Sequence, residues 1–260
     1  MTRDAGLPDL GGRVALVTGA SGGIGAGVAR RFAAAGAAVV VHGHRRAGRA
    51  RELVGEIEAG GGRALAARAD LTREEECERL VAEAVAWGAG RLDALVHCAG
   101  VQPVRALADL TAAEWRQVAD ANVTSAFACT QAAARAMRER GAGGSIVHVA
   151  SIEGTRPAPG HAHYCASKAA LLMFARSAAL EYGPDGIRVN TVSPGLIDRP
   201  GLARDWPEGV DRWRAAAPLG RLGTPEDIGD ACVFLASGAA AWISGSDLVV
   251  DGGVSARPTW

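Results

Sequence analysis

The sequence predicts an α/β fold, a doubly wound parallel sheet of about seven strands with helices on both faces. Three observations carry this. Short β-branched runs alternate along the chain with longer Ala-rich stretches. The short runs are apolar at successive residues rather than at every second one, as in strands buried on both sides. Each is separated from the next by enough chain for a crossover helix, as parallel strands require. At 260 residues and 48% hydrophobic the chain can bury one large core. Neither a linker nor a fixed-period repeat divides it, so one domain over 1–260 is expected.

Val14-Ala15-Leu16-Val17 reads as the first strand, and residues 24–35 as a helix stopped at Gly36. Val39-Val40-Val41 is the next strand, followed by a helix around 50–58 that ends in Gly60-Gly61-Gly62. Residues 63–68 and 92–97 are further strands flanking a helix over 73–87. One long helix is expected over 112–138, then a strand at 145–149, a helix at 164–182 and a strand at 187–192. Thr224-Pro225-Glu226-Asp227 is a helix start on physical grounds: an N-cap, proline at the first position and acids in the first turn. That helix should run 225–236, before a last strand at 247–250.

Composition excludes several classes. Lysine plus arginine and aspartate plus glutamate both number 28, whereas a nucleic-acid binder usually carries a basic excess. Five scattered cysteines without a CxxC pair indicate free thiols in a reducing compartment. The start, Met1-Thr2-Arg3-Asp4-Ala5-Gly6-Leu7-Pro8, lacks the apolar core of a signal peptide, and no apolar run reaches the ~18 residues of a membrane span. A cytoplasmic protein without nucleic-acid or membrane partners is expected. No GxSxG elbow of a hydrolase occurs. His161-Ala162-His163 has a metal-pair spacing but no further clustered ligands, so no metal site is expected.

In such sheets ligands bind beyond the carboxyl ends of the strands. Thr18-Gly19-Ala20-Ser21-Gly22-Gly23-Ile24-Gly25 lies there, between the first strand and the first helix. Glycines let the backbone turn tightly against a pyrophosphate, and the helix start offers amide donors and a partial positive charge. The glycine spacing at Gly19, Gly23 and Gly25 resembles the signature of the short-chain dehydrogenase/reductase family, which implies a Rossmann-like fold and a nicotinamide cofactor. Matches extend over nearly the whole chain.

The second strand ends Val41-His42-Gly43-His44-Arg45-Arg46. A carboxylate at its end would bind the adenosine ribose and select NAD; Gly43 stands where NAD-preferring relatives carry that acid. His44, Arg45 and Arg46 could instead hold a 2′-phosphate, which guanidinium geometry suits. NADP(H) is therefore favoured over NAD(H). Asp70, beside Leu71, resembles the family aspartate at the adenine, and equally reads as a helix N-cap. His97-Cys98-Ala99-Gly100 stands where the family has Asn-Asn-Ala-Gly, keeping the small residues that approach the cofactor.

Tyr164 and Lys168 are four apart and share a helix face. A tyrosine hydroxyl is a proton donor, and a neighbouring ammonium favours the tyrosinate that must act in the reverse direction. Ser151, thirteen residues upstream at a strand end, can hold a carbonyl oxygen. With Asn122 these match the family's catalytic set in order and spacing. The resemblance implies that Asn122 orders a proton-relay water and that the pro-S hydride is transferred. Pro194-Gly195 and Ile197 resemble the turn beside the nicotinamide, with Arg199 where a Thr is usual. The segment 196–218 would be a substrate lid. Gln102, Glu153, His161 and Trp206 are candidate pocket residues; Glu153 would disfavour an anionic substrate, whereas Arg156 and Arg199 would favour one.

The glycine-rich 220–227 stretch and the closing Val249-Val250-Asp251-Gly252-Gly253 resemble the branch containing 3-oxoacyl-carrier-protein reductases and bacterial glucose dehydrogenases. This implies a homotetramer, with a homodimer the alternative. The sequence thus leads to an NADP-dependent oxidoreductase interconverting a small-molecule ketone and a secondary alcohol. The alternatives are an NAD-dependent dehydrogenase of a polyol, sugar or cyclitol, and a non-catalytic nucleotide-sensing protein of the same fold.

Overall fold

A computed structural model describes residues 6–256; most of the amino-terminal stretch read above as no signal peptide lies outside them. Seven strands form one parallel sheet: β1 (Val14–Thr18), β2 (Ala38–Gly43), β3 (Ala64–Arg68), β4 (Ala94–His97), β5 (Gly144–Val149), β6 (Ile187–Pro194) and β7 (Asp247–Val250). Their order is β3-β2-β1-β4-β5-β6-β7. The winding reverses between β1 and β4, whose registers run Ala15 to Ala94 through Thr18 to His97. A ligand crevice belongs at that reversal, off the carboxyl ends.

The helices are α1 (Gly23–Ala34), α2 (Ala47–Ala59), α3 (Glu74–Trp87), α4 (Ala112–Ala119), α5 (Ser125–Arg140), α6 (Ala162–Tyr182), α7 (Leu202–Asp205), α8 (Pro207–Ala216) and α9 (Pro225–Ala236). Neighbouring strand residues serve opposite cores. Val17, Val41 and Val96 pack with Phe32 of α1 and Ile228 and Val233 of α9. Leu16, Val40 and Leu95 pack with Leu80 of α3 and Cys129 and Met137 of α5. Burial on both faces is the physical reason for the unbroken apolar runs. No helix among the described residues is long and apolar enough to cross a membrane.

The expected 112–138 helix is three pieces. A π-helical turn, Asp120–Thr124, separates α4 from α5. Polar side chains account for the break, because they compete with the helical ladder. Ser125 Oγ donates to Ala121 O at 2.7 Å, while Asn122 is committed to groups outside the helix. The segment 196–218, read as a lid, carries α7 and α8. β6 runs two residues past its expected end, because Ser193 and Pro194 pair with Val249 and Val250.

α1 and α9 meet backbone to backbone. A Cβ on Gly27 would lie 2.4 Å from Pro225 Cβ, and one on Gly229 would lie 3.0 Å from Gly27 O. Gly27→Ala should therefore lower unfolding free energy by about 1–3 kcal/mol through overpacking, read as a drop in Tm. Gly55→Ala in α2, where a Cβ meets nothing within 4 Å, should raise stability by up to about 1 kcal/mol in the same assay.

Candidate active site

The glycine loop is shaped by contact as well as by turning. Gly19 and Gly23 have φ of 66° and 53°, in the left-handed region that glycine favours. A Cβ on Gly19 would stand 2.9 Å from the Ala99 backbone, and one on Gly25 2.5 Å from Gly19 O. α1 starts beyond Gly22 with no side-chain cap and no acid in its first turn, so its amides and dipole face the crevice uncompensated. Ile24 lies against the core.

Two histidines hold this loop. His42 Nδ1 accepts from Gly19 N at 3.1 Å, and its Nε2 donates to Ala69 O at 3.1 Å. Burial lowers its pKa, favouring the neutral ring that this pattern needs. Thr18 Oγ1 accepts from the amides of Cys98 and Ala99, each at 3.1 Å, so its proton goes to His97 Nδ1 at 3.2 Å. His97 Nε2 then donates to Ser125 Oγ at 3.2 Å, and Ser125 donates to Ala121 O. Burial holds His97 well below the ordinary imidazole range. The histidine in place of the family asparagine thus joins the glycine loop to the π turn. His42 was not singled out from sequence, and His97 was noted only as standing where the family has an asparagine; the signal for both was a polar residue interrupting an apolar, doubly buried strand.

Beyond the loop opens a cavity of about 910 Å³, lined by Ser21, Gly22, Asp70, Leu71 and Cys98 to Gly100, with Arg116 and Gln117 of α4 on its far wall. Its size suits a dinucleotide, and its floor is backbone and glycine. His44, Arg45 and Arg46 border one end. Gly43 is buried, and a Cβ there would lie 3.1 Å from Ser21 Cβ and 3.2 Å from Ala50 Cβ; a carboxylate would need its neighbours to shift. Arg46 reaches back over the loop, its Nη1 3.9 Å from the Cβ position of Gly22. Among the described residues neither Arg45 nor Arg46 has an acidic partner within 4 Å. Asp70 Oδ1 accepts from Thr72 N at 3.1 Å and Thr72 Oγ1 at 2.7 Å, and the hydroxyl holds its carboxyl below the usual range. The N-cap of α3 is Arg73, which corrects the N-cap reading of Asp70: the carboxylate closes a local turn instead, 3.9 Å from His44 Nε2.

At the other end α6 presents Tyr164 and Lys168, both buried. Lys168 Nζ lies 5.6 Å from the Tyr164 ring centroid and donates to Val149 O at 2.8 Å. Ser151 follows β5, and its Oγ accepts from Glu153 N at 3.1 Å. Asn122, buried in the π turn, accepts from Val101 N at 2.7 Å and donates to Val101 O and Ser167 Oγ, each at 3.0 Å. A Cβ on Gly100 would sit 3.0 Å from Asn122 Oδ1 and 3.9 Å from Lys168 Nζ, so that glycine joins the cavity to these groups. Burial lowers the Lys168 pKa to about 8. It pushes Tyr164 up to about 12, against a hydrogen bond with Ser151 and with the charge of Glu153. The depression of the tyrosine expected from Lys168 is not found: the hydrogen bond with Ser151 is what lowers it, and desolvation outweighs that.

Gln102, Glu153 and His161 converge: Glu153 accepts from Gln102 Nε2 at 3.2 Å and from His161 Nδ1 at 2.8 Å. His163 is buried away from them, and among the described residues no three His, Cys, Asp or Glu side chains gather as a metal group. Trp206 lies against Gly209 and is 47% exposed. The tryptophan at the 194–195 turn is Trp213, 2.6 Å from the Cβ position of Gly195. Gly195 N donates to Val250 O at 3.0 Å, which anchors the turn after Pro194 to β7. Ile197 bridges to Gly223, and Arg199 is spent on Asp205 at 3.0 Å. Arg156 donates to Ser255 O.

This is the groove and the tyrosine–lysine helix of a nucleotide-dependent oxidoreductase, and the comparisons agree. Residues 19–255 match the family described as enoyl-(acyl carrier protein) reductase. The chain is 37% identical over 252 residues to 3beta-hydroxysteroid dehydrogenase 1 of Eggerthella lenta, covering 96% of each. It is 41% identical over 261 residues to the A-factor type gamma-butyrolactone 1'-reductase (1S-forming) of Streptomyces virginiae, covering 97% of this chain and 98% of that one. A short-chain type dehydrogenase/reductase from Mycobacterium marinum superposes with a TM-score of 0.87 at 39% identity, over 96% and 97% of the two chains. The chain belongs to the short-chain dehydrogenase/reductase family. It is an enzyme of the CH–OH/C=O oxidoreductase class, and the family's cofactors are nicotinamide dinucleotides.

Burial of Lys168 has a measurable cost. Its ordinary pKa is 10.5 and its folded value about 8, so between these values the unfolded chain binds the extra proton and stability rises with pH. Lys168→Met should be more stable than the native chain at pH 7, and that advantage should shrink by up to about 3 kcal/mol as pH rises from 8 to 10.5. Denaturant unfolding of both proteins across that range measures it.

Proposed function

We propose that this chain is an NADP-dependent ketoreductase acting on a small-molecule ketone, with the reverse oxidation available. Tyr164, Ser151 and Lys168 beside a dinucleotide-sized groove carry this reading. The nicotinamide cofactor, when bound, supplies the hydride to the carbonyl carbon. Tyr164 gives its proton to the carbonyl oxygen; a hydroxyl pushed up to about 12 is fully protonated at neutral pH, as reduction requires. Ser151 donates to the same oxygen and holds it against the tyrosine. Lys168 holds its ammonium under the tyrosine ring and returns the proton. Asn122 fixes the 100–101 backbone beside Lys168 and orders the water through which that proton is replaced. Gly19, Ser21, Gly23, Ile24 and Gly25 with the α1 amides hold the pyrophosphate. Asp70 and Leu71 meet the adenine, and Cys98, Ala99 and Gly100 line the middle of the groove. Pro194, Gly195 and Ile197 border the nicotinamide, and α7 and α8 close over the substrate as a lid.

The preference for NADP rests on Gly43, where an acid is absent, and on the unpaired guanidiniums of Arg45 and Arg46 beside His44. The E. lenta and S. virginiae relatives are named for a dehydrogenase and a reductase respectively, which supports the reaction class in either direction. A homotetramer is proposed from two separate apolar faces: Phe127, Met173 and Leu180 on α5 and α6, and Trp242 and Val249 at the β7 edge, all exposed. Exposed clusters of this kind favour association.

Titration by nicotinamide fluorescence should show NADPH binding tighter than NADH. Arg46→Ala and Arg45→Ala should each weaken NADPH by about tenfold and leave NADH within twofold; equal losses for both cofactors would place the 2′-phosphate elsewhere. Tyr164→Phe should reduce turnover by at least about a hundredfold with cofactor affinity retained, whereas retained turnover would remove the tyrosine from the chemistry.

A further inference from the structure

Beside the reacting groups, three separate segments build a polar wall around one carboxylate. Glu153 Oε1 accepts from the Gln102 amide at 3.2 Å, and Oε2 accepts from His161 Nδ1 at 2.8 Å and from the Cys165 thiol at 3.6 Å. The Glu153 and His161 side chains are only 20% and 17% exposed, unlike the solvated ion pairs of the surface. The His161 ring stands edge-on to Tyr164, with centroids 6.1 Å apart. Glu153 is tied to Ser151 within one short turn, its amide donating to the serine hydroxyl at 3.1 Å.

Three donors on one carboxylate fix it in place. The capacity left over is mostly acceptor: the free carbonyl of Gln102 and the remaining lone pair on Glu153 Oε1. An acceptor wall bearing a negative charge matches an O–H donor and repels a second carboxylate. It also sits one short turn from the Ser151 hydroxyl proposed above to hold the carbonyl oxygen, so a group on the carbon next to the carbonyl is the one it would meet. We infer that Gln102 and Glu153 select uncharged substrates carrying a hydroxyl on the carbon next to the reacting one, that is α-hydroxy ketones and the corresponding vicinal diols. This specificity rests on the reading of Ser151 and Tyr164 as the carbonyl site. His161 is a positioning residue for the carboxylate.

The test compares kcat/KM for 2-hydroxycyclohexanone, cyclohexanone and 3-oxocyclohexanecarboxylate with NADPH and with NADH. Ratios are read because Glu153 also acts on Tyr164, an effect common to all three ketones. In the native enzyme the hydroxyketone should exceed cyclohexanone by about tenfold or more, and the carboxylate should fall below cyclohexanone by a similar factor. Glu153→Gln, which keeps the shape, should bring the carboxylate ratio towards one; Gln102→Leu and Glu153→Leu should do the same for the hydroxyl ratio. Equal turnover of cyclohexanone and its hydroxy derivative, or ratios unmoved by all three substitutions, would overturn the specificity while leaving the ketoreductase reading intact. Failure to turn over any of the three with either cofactor would overturn both.

Discussion

The constraint on which the site depends is a single line of hydrogen bonds with one possible direction. Thr18 receives two amide protons, so it must give its own to His97, which gives to Ser125, which gives to Ala121 O. The line starts at the last residue of β1 and ends in the π turn that carries Asn122. It adds to the β1–β4 pairing, in which Thr18 stands opposite His97, and continues from the strand ends to the π turn, where no ladder bond runs. The side chains of Thr18, His97 and Ser125 are all buried, so an unmade bond between them would cost on the order of 1–3 kcal/mol. The asparagine that the family carries in place of His97 would be shorter than the imidazole that spans Thr18 and Ser125 here.

Desolvation is the second organising effect, and it acts on both partners of the tyrosine–lysine pair. It moves Tyr164 up from 10.0 to about 12 and Lys168 down from 10.5 to about 8, so two groups of nearly equal proton affinity in water stand well apart here. The tyrosine keeps its proton at neutral pH, while the ammonium gives one up more readily than in water. Burying that ammonium costs the fold stability.

The sheet, the order of its elements and the glycine loop were legible because each is written in local pattern. Consecutive apolar residues mark doubly buried strands, Gly36 and Gly60 mark helix ends, and Thr224-Pro225 marks a beginning. That Tyr164 and Lys168 share one face of a helix was legible in their spacing, and Ser151 at a strand end in the apolar run before it. What was not legible depends on contacts between distant segments. The π turn follows from where the side chains of Asn122 and Ser125 find partners, which helical period does not encode. The anchoring roles of His42 and His97 follow from strand neighbours, and the turn role of Asp70 from Thr72 rather than from α3. Arg199 reads in sequence as a cation that would favour an anionic substrate, yet it pairs with Asp205, which it shares with Arg204. Trp206 and Trp213 are indistinguishable by composition; only the packing of α8 decides which one reaches Gly195.

Gly195 fixes how this pocket can be remodelled. Its backbone is hydrogen-bonded to β7, and Trp213 presses on the one hydrogen it presents. The turn at Gly195 therefore accepts no larger residue, while α7 and α8 are short and largely exposed. For an engineer building a combinatorial library, this divides the protein in two. Diversity belongs at the exposed positions of 202–216, and the turn at 194–195 should be left as the fixed bed against which every variant is cast.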